Sequence, residues 1–247
     1  MKRNFKLTLS YDGTRYLGWE HQPGTDMTIQ GKIENVLKEL VGEIPEVICA
    51  GRTDAGVHAK GMVANVWLDT KYSEKRIRDY LNKYLPEDIS ITDVKEAGDR
   101  FHARYNATGK TYCYTCYTGE SKPVFDRKYV YYLSKTPDIS KMKKAASYLC
   151  GEHDFAAFCS NPKMKKSTVR IVDSIVIDRK GNYITFTYHG NGFLQHMVRI
   201  LTGTLLEVGF EIRTAESIPE LIESKDRKLA GETAPAMGLC LLEVDYS

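Results

Sequence analysis

Residues 49–61 read CAGRTDAGVHAKG, a stretch that sets Arg52, Asp54 and His58 among glycines. An aspartate two residues from an arginine is suited to nucleophilic or electrostatic work, because a nearby cation keeps the carboxylate ionised. Gly51 and Gly56 allow backbone or ligand to approach closely. A plainer reading also exists: an Asp before Ala-Gly, between two strands, is commonly a turn residue whose side chain bonds its own backbone. His58 could form a metal pair with Asp54, but no HExxH, no further histidine at ligand spacing and no acidic cluster accompanies it. A glycosidase would need a second carboxylate facing one bond, and nothing marks a partner for that role. An RNA-binding module without catalysis needs only a basic and aromatic surface and stays open as an alternative.

A second stretch, NGFLQHMVRILTGTLLEVG, predicts a helix over 193–208. Phe193, Leu194, Met197, Val198, Ile200, Leu201, Leu205 and Val208 make it apolar around most of its circumference, so it should be buried. Arg199 is the anomaly, with Gln195, His196, Thr202 and Gly203 as its neighbours in a narrow polar stripe. It either snorkels to solvent or pairs with an acid. A buried arginine needs an anion, and Asp54 is a candidate.

Those residues must be positioned by elements that hydrophobic periodicity makes legible. Phe5, Leu7, Leu9 and Tyr11 mark a strand, and Ile29, Ile33, Val36, Leu37 and Leu40 recur at helical spacing. VICAG and MVANVWL read as strands on either side of the Asp54 stretch, SEKRIRDYLNKYL as a second helix and ISITDVKEA as a further strand. GDRFHARYNATG, residues 98–109, has no clear period and reads as a linker. From residue 106 the scheme resembles the first half. A strand over 110–117 is followed by a helix over 138–150 closed by Gly151, strands near RIVDSIVI and YITFTY, the 193–208 helix and a final strand LCLLEVDY. The predicted fold is α+β: two pseudo-repeated halves, 1–105 and 106–247, with mostly antiparallel sheets covered by helices and a cleft between them. GxGxxG and Walker-type loops are absent, which argues against a doubly wound sheet.

Composition narrows the class. The chain has 247 residues, 42% of them hydrophobic, enough for a substantial core. Its 35 basic against 32 acidic residues leave a net charge of +3, compatible with a nucleic-acid partner if the basic groups cluster. The apolar residues after Lys2 and Arg3 alternate with polar ones, as in a strand and not a signal peptide, and no apolar run approaches the roughly 18–20 residues of a membrane span. Six scattered cysteines fit a reduced, cytoplasmic protein. Cys113 and Cys116 form a CxxC inside a predicted strand, which would turn the thiols to opposite faces and disfavour a metal or redox role.

Five segments, GRTDAGVHA, FHARYNATGKTYCY, GEHDFAAF, NGFLQHMVRILTGTLLEVG and TAPAMGLCLLEVDY, together resemble the signature segments of the tRNA pseudouridine synthase A family, in order and across nearly the whole chain. The resemblance implies an enzyme, a homodimer with a basic cleft, that isomerises uridine to pseudouridine at positions 38 to 40 of the tRNA anticodon arm. It implies no cofactor and no metal. It places the nucleophile at Asp54, the preceding arginine at Arg52, the active-site tyrosine at Tyr112 and the aspartate-pairing arginine at Arg199. Tyr114 lies on the same strand face as Tyr112, and only the motif favours Tyr112. The implied chemistry has Arg52 filling the space left by a flipped base and Tyr112 stacking on the uracil. Arg104, Lys110 and the run PKMKKSTVR, residues 162–170, are candidate contacts to the RNA backbone, the run reading equally well as a solvated loop. The sequence departs from the family pattern at Glu20 and His21, where glutamine and arginine are typical, and at Met62 and Asn65. These changes leave open a paralogue acting on another stem-loop, for example in ribosomal RNA.

Overall fold

The alternation of Phe5, Leu7, Leu9 and Tyr11 produces strand β1 (Arg3–Tyr11), with all four side chains buried on one face. The computed structural model describes residues 2–161 and 164–247. It continues with α1 (Ile29–Val41), β2 (Val47–Cys49), β3 (His58–Leu68), α2 (Glu74–Tyr84) and β4 (Ile89–Ala97). There follow β5 (Ala107–Tyr117), β6 (Tyr131–Tyr132), α3 (Ile139–Leu149), β7 (Gly151–Asp154), β8 (Val169–Lys180) and β9 (Tyr183–Gly190). The chain ends with α4 (Met197–Gly209), α5 (Ile218–Ser224) and β10 (Leu239–Tyr246). Three helices start where a side-chain oxygen accepts an orphan backbone N–H: Thr28 for α1, Ser73 for α2 and Asp138 for α3. No described helix is long and apolar enough to cross a membrane.

The protein is α+β and divides into two units, Met1–Thr108 with Cys240–Ser247, and Gly109–Leu239. In the first, β1 lies between β3 and β4 and is antiparallel to both. β2 pairs antiparallel with the far half of β3, while β10 pairs parallel with its start, Cys240 opposite His58. The final strand therefore lies with the first unit and not, as read from sequence order, with the second half. Gly61 permits this, since a Cβ there would stand 2.2 Å from the Leu242 carbonyl oxygen. In the second unit β5, β9, β8 and β7 form an antiparallel series, β6 adds two residues parallel to β5, and α3 packs on β8 and α4. Each unit thus runs strand, helix, antiparallel strands, helix, a split arrangement in which the first strand pairs with the last of the hairpin.

Two further sequence-based expectations change here. The 193–208 helix begins four residues late, at Met197, because His196 sits at φ 61°, a left-handed conformation that cannot continue a right-handed helix. Gln195 and His196 therefore do not share a stripe with Arg199. The 98–109 linker is in fact a bonded loop that runs into β5, held by Asn65 at Ala103 and by Asn4 at Gly98 and Phe101. Cys113 and Cys116 do lie on opposite faces of β5, Cys116 buried and its thiol pushed well up by burial.

Candidate active site

Asp54 lies on the segment between β2 and β3, and the chain around it is fixed from several sides. The Val57 N–H donates to the Asp54 carbonyl (3.1 Å), closing a turn with Gly56 at φ 78°, the position where a turn of this type calls for glycine. The Gly56 N–H, the donor an aspartate side chain would bond in the plain turn reading, donates to the Tyr16 carbonyl at 3.2 Å. Thr53 is held twice: its carbonyl accepts from Trp19 N–H (3.0 Å), and its hydroxyl bonds the buried Tyr11 hydroxyl (2.8 Å). The loop between β1 and α1 presses this close only because Gly13 and Gly18 lack side chains. A Cβ at Gly13 would lie 2.0 Å from Val57 O, and one at Gly18 2.7 Å from Thr53 O. Asp54 itself is half-buried. Its carboxylate is thus carried on a rigid backbone at the edge of solvent.

The neighbours of Asp54 take other tasks than its sequence suggested. Arg52 is exposed and pairs with Glu20, itself exposed, so the cation two residues away is matched to a different carboxylate. His58 is buried, its Nδ1 accepting the Gly13 N–H at 3.1 Å with Asp12 alongside at 3.2 Å. No group of three or more His, Cys, Asp or Glu residues placed to hold a metal ion occurs among the described residues. Arg104 is exposed and lines the same cleft as Arg52 on the first unit.

The second unit carries Lys110, Tyr112 and Arg199. Lys110, Tyr112, Tyr114 and Cys116 share one face of β5 by strand alternation. Tyr112 is 8% exposed and meets Phe193 edge-on, ring centroids 5.3 Å apart. Tyr114 is fully buried, donates to the Pro235 carbonyl at 2.8 Å, and burial raises its phenol far above the usual range. The structure therefore separates two tyrosines that the sequence could not: Tyr114 serves the core, and Tyr112 sits at its margin. Tyr114→Phe should cost about 1–3 kcal/mol, since it leaves a buried carbonyl unpaired. Tyr112→Phe should reduce turnover per folded molecule. Chemical denaturation paired with single-turnover kinetics distinguishes them, and the opposite pattern would exchange their roles.

Arg199 is half-buried on α4 and locked by a strap formed by residues 231–235. Its Nε donates to the Ala234 carbonyl (2.7 Å), and its own carbonyl accepts the Ala234 N–H (3.1 Å). One turn on, the Thr204 hydroxyl accepts the Gly231 N–H at 3.0 Å, and the next residue of the strap, Pro235, takes the Tyr114 hydroxyl. The strap reaches the helix because Gly203 has no side chain: a Cβ there would be 1.9 Å from the Glu232 carbonyl oxygen. Arg199 is therefore oriented by bonded backbone and does not snorkel freely. Thr202, expected in a polar stripe, is buried instead and bonds Val198 O and the Tyr188 hydroxyl. The sequence signal for the strap was the TAPAMG segment, whose bonding it could not specify.

In the run PKMKKSTVR, Pro162 and Lys163 lie outside the described residues. Lys165 and Lys166 are exposed, while Arg170 turns back onto the carbonyls of Ser167 (3.0 Å) and Val169 (2.6 Å).

The chain also matches known proteins. A family model described as tRNA pseudouridine synthase fits residues 8–106 and 145–247. The chain is 46% identical over 243 residues to a protein named tRNA pseudouridine synthase A 2 from Bacillus anthracis, covering 98% of this chain and 99% of that one. It is 44% identical over 244 residues to tRNA pseudouridine synthase A of Clostridium kluyveri, covering 99% of this chain and all of that one.

Proposed function

The chain belongs to the tRNA pseudouridine synthase family and is an isomerase of tRNA uridines; we propose that it acts at positions 38 to 40 of the anticodon arm, with Asp54 as nucleophile. The observation that carries the second part is the mounting of Asp54, a half-buried carboxylate on a loop whose flanking backbone is bonded on both sides. Such preorganisation is what a reacting group needs, since its position then costs nothing at the moment of reaction.

Pseudouridine formation breaks the N1–C1′ bond, turns the uracil and joins C5 to C1′. The C5 proton leaves and N1 gains one, so atoms balance and no electron is exchanged. Asp54 attacks the nucleotide and triggers the cleavage. In this reading Arg199 is the cation that keeps Asp54 charged once RNA excludes water, and the strap holds its guanidinium ready. The target base must leave its stack, at a cost of roughly a few kcal/mol, with Arg52 taking its place and Tyr112 lying against the uracil. Lys110 and Arg104 contact phosphates, giving affinity that falls with salt.

The test uses tRNA carrying tritium at C5 of uridine. The protein should release the label from a tRNA with uridine at 38, 39 or 40 and not from the same tRNA with cytidine at all three. Equal release from both would overturn the assignment to that arm.

A further inference from the structure

On the first unit a cleft of about 200 Å³ opens beside the Asp54 loop, and Glu20, Arg52, His102, Arg104 and Tyr105 are among the residues that line it. Resting on the reading that tRNA is the substrate, we propose that this cleft binds one RNA nucleotide other than the target. Its base stacks on the Tyr105–His102 ring pair, and a flanking phosphate is held by Arg104.

Tyr105 is 73% exposed, an unusual place for a large aromatic ring, yet it is not loosely held. Its ring centroid lies 4.1 Å from that of His102, with planes inclined by 30°. His102 Nδ1 accepts the N–H groups of Arg104 (3.2 Å) and Tyr105 (3.3 Å), which places the proton of the neutral ring on Nε2. The loop beneath is fastened from below. Buried Asn65 accepts the Ala103 N–H at 2.8 Å and donates to Asn4, which in turn donates to the carbonyls of Gly98 and Phe101. Tyr246 donates to the Ala103 carbonyl at 2.6 Å. The result is an aromatic platform, exposed but already ordered, with Arg104 beside it.

A nucleobase suits such a platform because every base offers a π face and stacking needs no matched hydrogen bonds. Arg104 beside it provides planar donors for phosphate.

The experiment measures tRNA affinity across a salt series for the full chain and its variants. Tyr105→Ala should bind about tenfold more weakly with an unchanged salt slope, while Tyr105→Phe should bind like the wild type, because stacking needs the ring and not the hydroxyl. Arg104→Gln should lower the slope of log affinity against log salt by about one phosphate contact. Wild-type affinity in Tyr105→Ala would overturn the proposal, as would an equal loss in Tyr105→Phe or an unchanged slope in Arg104→Gln. Tritium release by the wild type, followed on the same tRNA, tests the functional reading separately. An enzyme that turns over and yet ignores Tyr105→Ala counts against the cleft alone.

Discussion

Asp54→Asn should abolish tritium release, by at least about 10⁴-fold, while leaving tRNA affinity and the unfolding temperature close to those of the wild type. The amide keeps the shape of the carboxylate but is no nucleophile. The turn's closing bond is made by the Asp54 carbonyl, and the Gly56 N–H goes to Tyr16. Stability should therefore survive the substitution, with the loop still fastened through Thr53 and Gly56. Release within about a hundredfold of the wild type would sink the nucleophile assignment. Loss of fold together with activity would show that Asp54 is chiefly a structural turn residue.

The second large effect is expected far along the chain, at Gly203. Two opposing terms meet there. Alanine is the better helix former by about 1 kcal/mol, which alone would stabilise α4. Its Cβ, however, would fall 1.9 Å from the Glu232 carbonyl oxygen, and the obstacle is backbone and cannot rotate aside. Overpacking of that kind costs about 3 kcal/mol, so the clash prevails and the strap must lift from the helix. Lifting it separates Ala234 from Arg199 and Gly231 from Thr204, contacts of 2.7–3.1 Å that orient the guanidinium. Gly203→Ala should therefore lower the unfolding free energy by about 2 kcal/mol net. It should also reduce kcat about 100-fold, because an ångström of misplacement at a charged group is worth that much. Gly98→Ala is the control, since a Cβ there meets open space. A Gly203→Ala protein as stable and as fast as the wild type would mean that the strap does not position Arg199.

Much of this molecule could be read from local pattern. The runs that became β1, α1, α2, β4 and β10 were legible because each buries one face, and burial of one face imposes a period of two or 3.6 on the sequence. The Asp54 stretch was legible because a glycine-flanked Arg and Asp are chemically conspicuous in any setting. A period reports which residues face inward, and nothing more. It extended α4 back to Phe193 because Phe193 and Leu194 continue the apolar pattern, whereas His196 adopts a left-handed backbone that no pattern records.

What tertiary structure alone decided were pairings between residues distant in sequence. Arg52 takes Glu20 as its partner, and Asn65 reaches Ala103 to turn an apparent linker into a rigid loop. Tyr114 is distinguished from Tyr112 by deeper burial and by a carbonyl 121 residues away at Pro235. β10 joins the first unit because Gly61 leaves room for the Leu242 backbone. The sequence by itself determined the elements, the α+β class and the residues with reactive chemistry, since these depend on local propensity and residue type. Which of those residues are held, and by what, depends on hydrogen bonds and steric clearances of a few ångströms between separate segments, and such distances exist only once the chain has folded.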